Sequence, residues 1–102
     1  MPVDCLEVGQ TLTAKIVGEV DHHAARELMA ELGRRIDLCL PSCMELDLGG
    51  VTFMDSSGIA VVLRTWKRMR ELEGRLTLRS VPPQAAKVLK AAGVDRLIPF
   101  AE

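Results

Sequence analysis

The sequence predicts a two-layer α/β fold in which a mixed β-sheet carries three helices on a single face. Strand-like and helix-like segments of the 102-residue chain follow one another in the order β-β-α-β-α-β-α-β. The strand-like segments alternate apolar and polar residues, whereas strands covered by helices on both faces are almost continuously apolar. One face of the sheet is therefore expected to contact water.

Capping and breaking residues indicate where the helices begin and end. Asp21 is a favourable N-cap for the first helix, and Pro41 stops it. Gly74 ends the second helix, Pro82-Pro83 opens the third, and Gly93 caps its C-terminus. The predicted elements are strands at residues 3–8, 11–17, 44–48, 75–81 and 96–100 and helices at residues 22–40, 59–72 and 83–92.

Apolar residues recur at helical spacing and predict the side of each helix that packs on the sheet. The predicted core-facing residues are Ala25, Leu28, Met29, Leu32, Ile36 and Cys39 in the first helix, Ile59, Val62, Leu63, Trp66 and Met69 in the second, and Ala85, Val88, Leu89 and Ala92 in the third. Because Trp66 lies on this stripe, we expect it in the core rather than in a binding surface.

Composition and charge argue against nucleic-acid and membrane binding. Hydrophobic residues make up 48% of the chain, and 13 Lys and Arg residues stand against 14 Asp and Glu residues, for a formal net charge of −1. This balance gives no support for direct nucleic-acid binding. No apolar run approaches the ~20 residues of a membrane span, and no signal-peptide pattern is seen. We expect a single domain over residues 1–102 in the cytoplasm.

The three cysteines do not form a recognisable metal or disulfide pattern. Cys5, Cys39 and Cys43 are an odd number without a C-x-x-C pair, and Pro41 lies between the last two. Reduced thiols that are buried or half-buried are therefore expected, in agreement with a reducing compartment.

The run Phe53-Met54-Asp55-Ser56-Ser57-Gly58-Ile59 is the most informative segment of the chain. It places two hydroxyls, a carboxylate and a glycine at a helix N-terminus, where unpaired N–H groups and the helix dipole favour an anion. A phosphate there would add about −1.5 to −2 charges to the surface. Such residues most often serve only as helix caps. These residues alone therefore do not decide between a helix cap and a phosphorylation switch.

Three segments are spaced as in a known family. They are Gly18-Glu19-Val20-Asp21-His22-His23, Phe53-Met54-Asp55-Ser56-Ser57-Gly58, and Pro83 followed by Val88-Leu89 and Ala92-Gly93. Together they resemble the STAS domains, in particular the bacterial anti-sigma factor antagonists of sporulation, over nearly the whole chain. The sequence differs at Ile59-Ala60, where the family often has Leu-Gly, and ends at Glu102, where the family usually has a further helix.

The resemblance implies a phosphorylation cycle. Ser56, the first serine after the aspartate, would be phosphorylated by a partner that is both an anti-sigma factor and a serine protein kinase. The unphosphorylated chain would bind this partner and release the sigma factor, and a serine phosphatase would reset the cycle. The partner-binding residues are then expected to be Asp21, His22, Asp55, Ser57, Gly58 and Ile59. We expect no cofactor, no metal and a monomer when free.

Several of these residues have more than one possible role. Asp21 serves as a helix cap, as part of the partner-binding face, or as both. Adjacent histidines point in different directions, so His22-His23 indicates polar residues at a helix start rather than a metal pair. Four cations, Arg64, Lys67, Arg68 and Arg70, indicate a solvated helix face, with contact to an acidic partner as the alternative.

Two other functions compete with the antagonist hypothesis. One is a STAS module of another assembly, such as a stressosome-like complex or a transport accessory, without serine modification. The other is a small hydrolase that uses Ser56. A serine nucleophile needs a base held by a third group, and the sequence has neither the G-x-S-x-G pattern nor a phosphate-binding glycine loop. The sequence therefore favours a protein that is a substrate of another enzyme.

Overall fold

The computed structural model describes residues 3–102, in which five strands form one sheet and three α-helices pack against it. The elements are β1 (Val3–Val8), β2 (Thr11–Val20), α1 (His22–Cys39), β3 (Cys43–Met54), α2 (Ser56–Glu71), β4 (Arg75–Arg79), α3 (Pro83–Ala91), a 3₁₀ turn (Val94–Arg96) and β5 (Phe100–Ala101). The predicted fold class is confirmed.

The strands lie in the sheet in chain order, β1-β2-β3-β4-β5. The first pair is antiparallel, and each later pair is parallel. One helix connects each pair of parallel neighbours, and the right-handed crossover that such connections adopt brings all three helices to the same face. The parallel order thus explains the two layers.

Alternate strand residues fill the core between the two layers. The buried side chains of the sheet include Leu12, Ala14 and Ile16 of β2, Met44, Leu46 and Leu48 of β3, and Leu76 and Leu78 of β4. The residues between them are polar and face away from the helices. On that side Arg79 forms an ion pair with Glu45, with 3.1 Å between Nη1 and Oε1.

Strands β2 and β3 are longer than the sequence predicts. They were expected to end at residues 17 and 48, but their pairing continues to Val20 and Met54, with register shifts on the way. Glycines interrupt the apolar alternation in both segments, which hides the strands from a pattern-based prediction. Strand β4, by contrast, ends at Arg79, before the predicted limit of residue 81.

The last predicted strand is present, but its bounds of residues 96–100 are wrong. After α3 the chain passes through Gly93, with φ of 79°, into the 3₁₀ turn, and only Phe100–Ala101 pairs with β4. The Ile98 N–H donates to the Val94 carbonyl oxygen over 2.9 Å, so the turn buries both apolar side chains on one side. The apolar residues Leu97, Ile98 and Phe100 also fit a strand, which is why the predicted strand begins too early.

Helix α2 is rotated relative to its predicted orientation. Its buried residues are Gly58, Val61, Val62, Thr65 and Met69. The hydroxyl of Thr65 donates to the Val61 carbonyl oxygen over 2.8 Å, so this polar side chain is satisfied inside the core.

Several residues predicted to face the core lie further out, among them the half-buried Ile59, Leu63 and Trp66. Trp66 is half-buried at the edge of the core, where the Arg70 guanidinium lies 5.0 Å from its ring centroid. Ala92 was predicted to face inward and is exposed. The cysteines are free and half-buried, as predicted, and burial raises the pKa of the Cys5 thiol.

Candidate functional site

Two neighbouring strands each end in an aspartate that caps the helix after it. Asp21 follows β2, and its Oδ1 accepts the Ala24 N–H over 2.9 Å. Asp55 follows β3, and its Oδ1 accepts the Ser57 N–H over 2.8 Å. Both have φ of −102°, with ψ of −172° and −170°. The two helices therefore begin side by side at the carboxyl edge of the sheet, where open α/β sheets place their binding sites.

A hydrogen bond lowers the pKa of Asp21, the N-cap of α1. The Ala24 N–H that Asp21 accepts is the main cause that lowers the pKa of this carboxyl below its usual value, and His23 adds to the effect. A carboxylate at this place stays ionised at neutral pH. It adds fixed negative charge beside the start of α2.

Ser56 is the first residue of α2, three positions before the predicted start of the helix at residue 59. The first helical turn therefore contains both serines. Ser56 is exposed, whereas Ser57 is half-buried and gives its N–H to the Asp55 cap. Of the two hydroxyls, that of Ser56 is the more accessible to another protein's active site.

Gly58 lets α2 close onto the end of β3. A Cβ atom at this position would lie 2.3 Å from the Cγ atom of Met54 and 2.6 Å from its Sδ atom. Because only 1% of Met54 is exposed, that side chain has little room to move away. Close approach, rather than an unusual backbone angle, thus requires glycine here.

A residue that the sequence analysis did not single out holds the backbone just before the serines. Gln84, near the start of α3, accepts the Met54 N–H at its Oε1 over 2.8 Å. Its Nε2 donates to the Met54 carbonyl oxygen, also over 2.8 Å. Its position directly after Pro82-Pro83 is the only local feature of the sequence that could have pointed to Gln84, because Met54 lies 30 residues away in the chain.

Most of the predicted site residues meet at this edge of the structure, at different depths. Asp21, His22, Asp55, Ser56 and Ser57 reach the surface at the two helix starts, Gly58 lies beneath them, and Ile59 is half-buried against the core. His22 and Ser57 line one groove between α1 and α2. The structure thus joins residues that are 35 positions apart in the sequence.

The reactive group that this edge exposes is the hydroxyl of Ser56, at the start of α2. Within residues 3–102, no group of three or more His, Cys, Asp or Glu side chains is arranged to hold a metal ion. The described helices include none that is both long and apolar enough to cross a membrane. The Ser56 side chain is exposed at the first turn of α2, where helix N–H groups favour an anion.

Comparison with known proteins defines the class to which this fold and site belong. The sequence profile of the STAS domain matches residues 3–102, and the chain therefore belongs to the STAS domain family. The matched residues include all of the described strands and helices and the three segments that resemble STAS domains.

Within this family the chain is similar to antagonists of anti-sigma factors. It is 36% identical over 88 residues to the anti-sigma F factor antagonist of Lysinibacillus sphaericus, an alignment that covers 83% of this chain and 73% of that one. The unphosphorylated form of the anti-sigma factor antagonist SpoIIAA superimposes with a TM-score of 0.79 at 31% identity, covering 98% of this chain and 88% of that one. The phosphorylated form of SpoIIAA from Bacillus gives a TM-score of 0.76 at 26% identity, covering 98% and 91%.

Proposed function

We propose that this chain is an anti-sigma factor antagonist controlled by phosphorylation of Ser56. The observation that carries the proposal is the exposed position of Ser56 at the first turn of α2, next to a cap that uses the Ser57 N–H. The similar protein SpoIIAA exists in an unphosphorylated and a phosphorylated form. In this function the chain binds and is modified, and it does not itself catalyse a reaction.

The proposed partner is an anti-sigma factor that is also a serine protein kinase. A kinase must bring its nucleotide phosphates next to the acceptor hydroxyl, so the modified surface and the bound surface are the same. The partner-binding face would then comprise Asp21, His22, Asp55, Ser57 and Ile59, with Gly58 supporting it from below. A serine phosphatase would restore the binding form, and the free antagonist would be a cytoplasmic monomer.

The phosphate would act on binding rather than on the fold. The helix N-terminus favours negative charge, although Asp55 lies next to Ser56 and opposes it. At the partner surface, a dianion facing the nucleotide phosphates sets like charges against each other, which costs several kcal/mol in a partly desolvated contact. Phosphorylation would therefore release the partner while the sheet and helices stay folded.

Incubation with candidate kinases tests this function. The GHKL-type serine kinases of the source organism are purified and each is mixed with the chain and ATP, and the modified residue is mapped by fragmentation mass spectrometry. We expect one phosphate, on Ser56, none on the Ser56→Ala variant, and normal modification of the matched Ser57→Ala variant. Modification of Ser57 at the normal rate in Ser56→Ala would refute the assignment, and no modification by any kinase would refute the proposed control.

A further inference from the structure

A groove runs between α1 and α2 from the phosphoacceptor edge toward the opposite end of the helices. We call it the α1/α2 groove. Two adjoining cavities of about 480 and 620 Å³ form it, and both are lined by Met29 and Arg64. On α1 it extends from His22 to Asp37. At 1.5 Å per residue this is roughly 22 Å, enough for about four turns of a helix.

The floor of the groove is apolar and open. Met29 and Leu63 are half-buried along it and pack at the edge of the core. Gly33 lines the far cavity, and no atom lies within 4 Å of the position that a Cβ would occupy there. An apolar stripe of an incoming helix would therefore find both contact area and space.

Charge is distributed unevenly along the rim. At the end next to Ser57, Arg26 and Arg64 line the groove and no carboxylate does. At the far end Arg68 is paired with Asp37 over 2.8 Å and with Glu71 over 3.4 Å. Among residues 3–102, neither Arg26 nor Arg64 takes part in an ion pair. Lys67 lines the far cavity as well, where it and Arg68 are balanced by the carboxylates of Asp37 and Glu71. Positive charge is thus unbalanced at the phosphoacceptor end and balanced at the other.

We propose that the α1/α2 groove binds an acidic amphipathic helix of the anti-sigma factor partner, with its carboxylates next to Arg26 and Arg64. The inference rests on the proposed function, because the groove begins at Ser57 and a partner that reaches Ser56 must contact this end. The charge gradient fixes the direction in which the helix lies. A phosphate on Ser56 would add negative charge at the mouth of the groove and oppose the same carboxylates.

Charge reversal at the rim tests the electrostatic part. Affinity for the partner that phosphorylates Ser56 is measured by titration calorimetry, without nucleotide and with ADP, at about 50 and 300 mM salt, which screens exposed charges to different extents. We expect Arg64→Glu and Arg26→Glu each to weaken binding about tenfold at low salt, which corresponds to about 1.4 kcal/mol. The matched control Lys87→Glu, an exposed residue of α3 outside the groove, should bind like the unmodified chain.

A steric variant tests the groove independently of charge. Gly33→Leu would place an apolar side chain in the far cavity of the groove, and nothing lies within 4 Å of the new Cβ position. We expect it to melt no lower than the parent chain and to lose at least about tenfold in affinity, again about 1.4 kcal/mol.

Three results would overturn the proposal. The first is that the reversal variants bind like Lys87→Glu. The second is an affinity loss that appears only with ADP present, which would direct the arginines to nucleotide phosphates. The third is a Gly33→Leu variant of unchanged affinity. A chain that no kinase binds or modifies contradicts the proposed function itself. Normal modification with unaffected reversal variants contradicts only the groove.

Discussion

The carboxamide of Gln84 holds the backbone of Met54 through two hydrogen bonds of 2.8 Å, one to its N–H and one to its carbonyl oxygen. Strand β4 pairs with β3 only as far as Asp47 and Arg79. Beyond that point the Gln84 side chain supplies the donor and acceptor that a neighbouring strand would otherwise offer. The backbone two residues before Ser56 is therefore held by α3.

Replacing Gln84 by methionine should loosen the start of α2 while the fold persists. The change keeps a similar side-chain length and removes both hydrogen bonds, so we expect a loss of about 1–2 kcal/mol in the free energy of unfolding. Urea denaturation measures this loss, and hydrogen exchange should be faster at the Met54 amide. Lys87→Met, an exposed change on the same helix, is the control. An equal free energy of unfolding and equal hydrogen exchange in both variants would show that the two hydrogen bonds do not stabilise the backbone at Met54.

Gly58→Ala should destabilise the chain although alanine is the better helix former. The new Cβ would meet Met54 at 2.3 Å, and overpacking of this kind costs about 1–3 kcal/mol. The matched control is Gly33→Ala in α1, where nothing lies within 4 Å and a gain of about 0.5–1 kcal/mol is expected from helix propensity. Chemical denaturation of both variants gives the comparison. Two changes of the same sign would contradict the close packing of α2 on β3.

Asp21 should make stability depend on pH in the acidic range. Its pKa is lowered in the folded chain by the Ala24 N–H, so between that value and the ordinary value of about 3.9 the unfolded chain binds more protons. The contribution of Asp21 is therefore fully present above about pH 4 and is lost as pH falls through the folded pKa. The free energy of unfolding of Asp21→Asn, subtracted from that of the parent chain, should follow this course. A difference that does not change with pH would contradict it.

Asp21 should also contribute to partner binding. We expect Asp21→Ala to fold and to bind the anti-sigma factor more weakly, because the residue lies at the same edge as Ser56 in addition to capping α1. Circular dichroism checks the fold, and titration calorimetry measures the affinity. A normally folded variant with unchanged affinity would limit Asp21 to its capping role.

The direction of control can be tested with two substitutions at one position. Ser56→Ala should bind the anti-sigma factor like the unmodified chain, and Ser56→Asp should bind more weakly because it places a negative charge in the contact. Titration calorimetry of both variants decides the sign. Tighter binding by Ser56→Asp would mean that the phosphate is a recognition mark, which inverts the mechanism.

Phosphorylation should leave the fold intact. We expect the phosphorylated and unmodified chains to have the same circular dichroism and similar melting temperatures, because a helix N-terminus tolerates negative charge. A cooperative loss of structure after modification of Ser56 would show that the switch works by unfolding.

Local patterns in the sequence were sufficient for several of these features. Alternation around Leu46 predicts a half-exposed strand, and Asp21 is recognisable as a cap because a cap bonds to an amide three residues away. The placement of the two serines next to a helix N-terminus follows in the same way, although α2 begins three residues before its predicted start. Each of these features depends on neighbours within one turn or one strand.

Local patterns thus predict the two-layer class, the Asp21 cap and the serines beside a helix N-terminus after β3. Contacts between distant segments set how far β3 continues and how α2 is rotated on Met54, and they bring Gln84 to that residue from 30 positions away. They also place Arg26 and Arg64 in one groove. These features arise from packing between segments that are distant in the sequence. The apolar periodicity within one segment does not show which other segment it packs against.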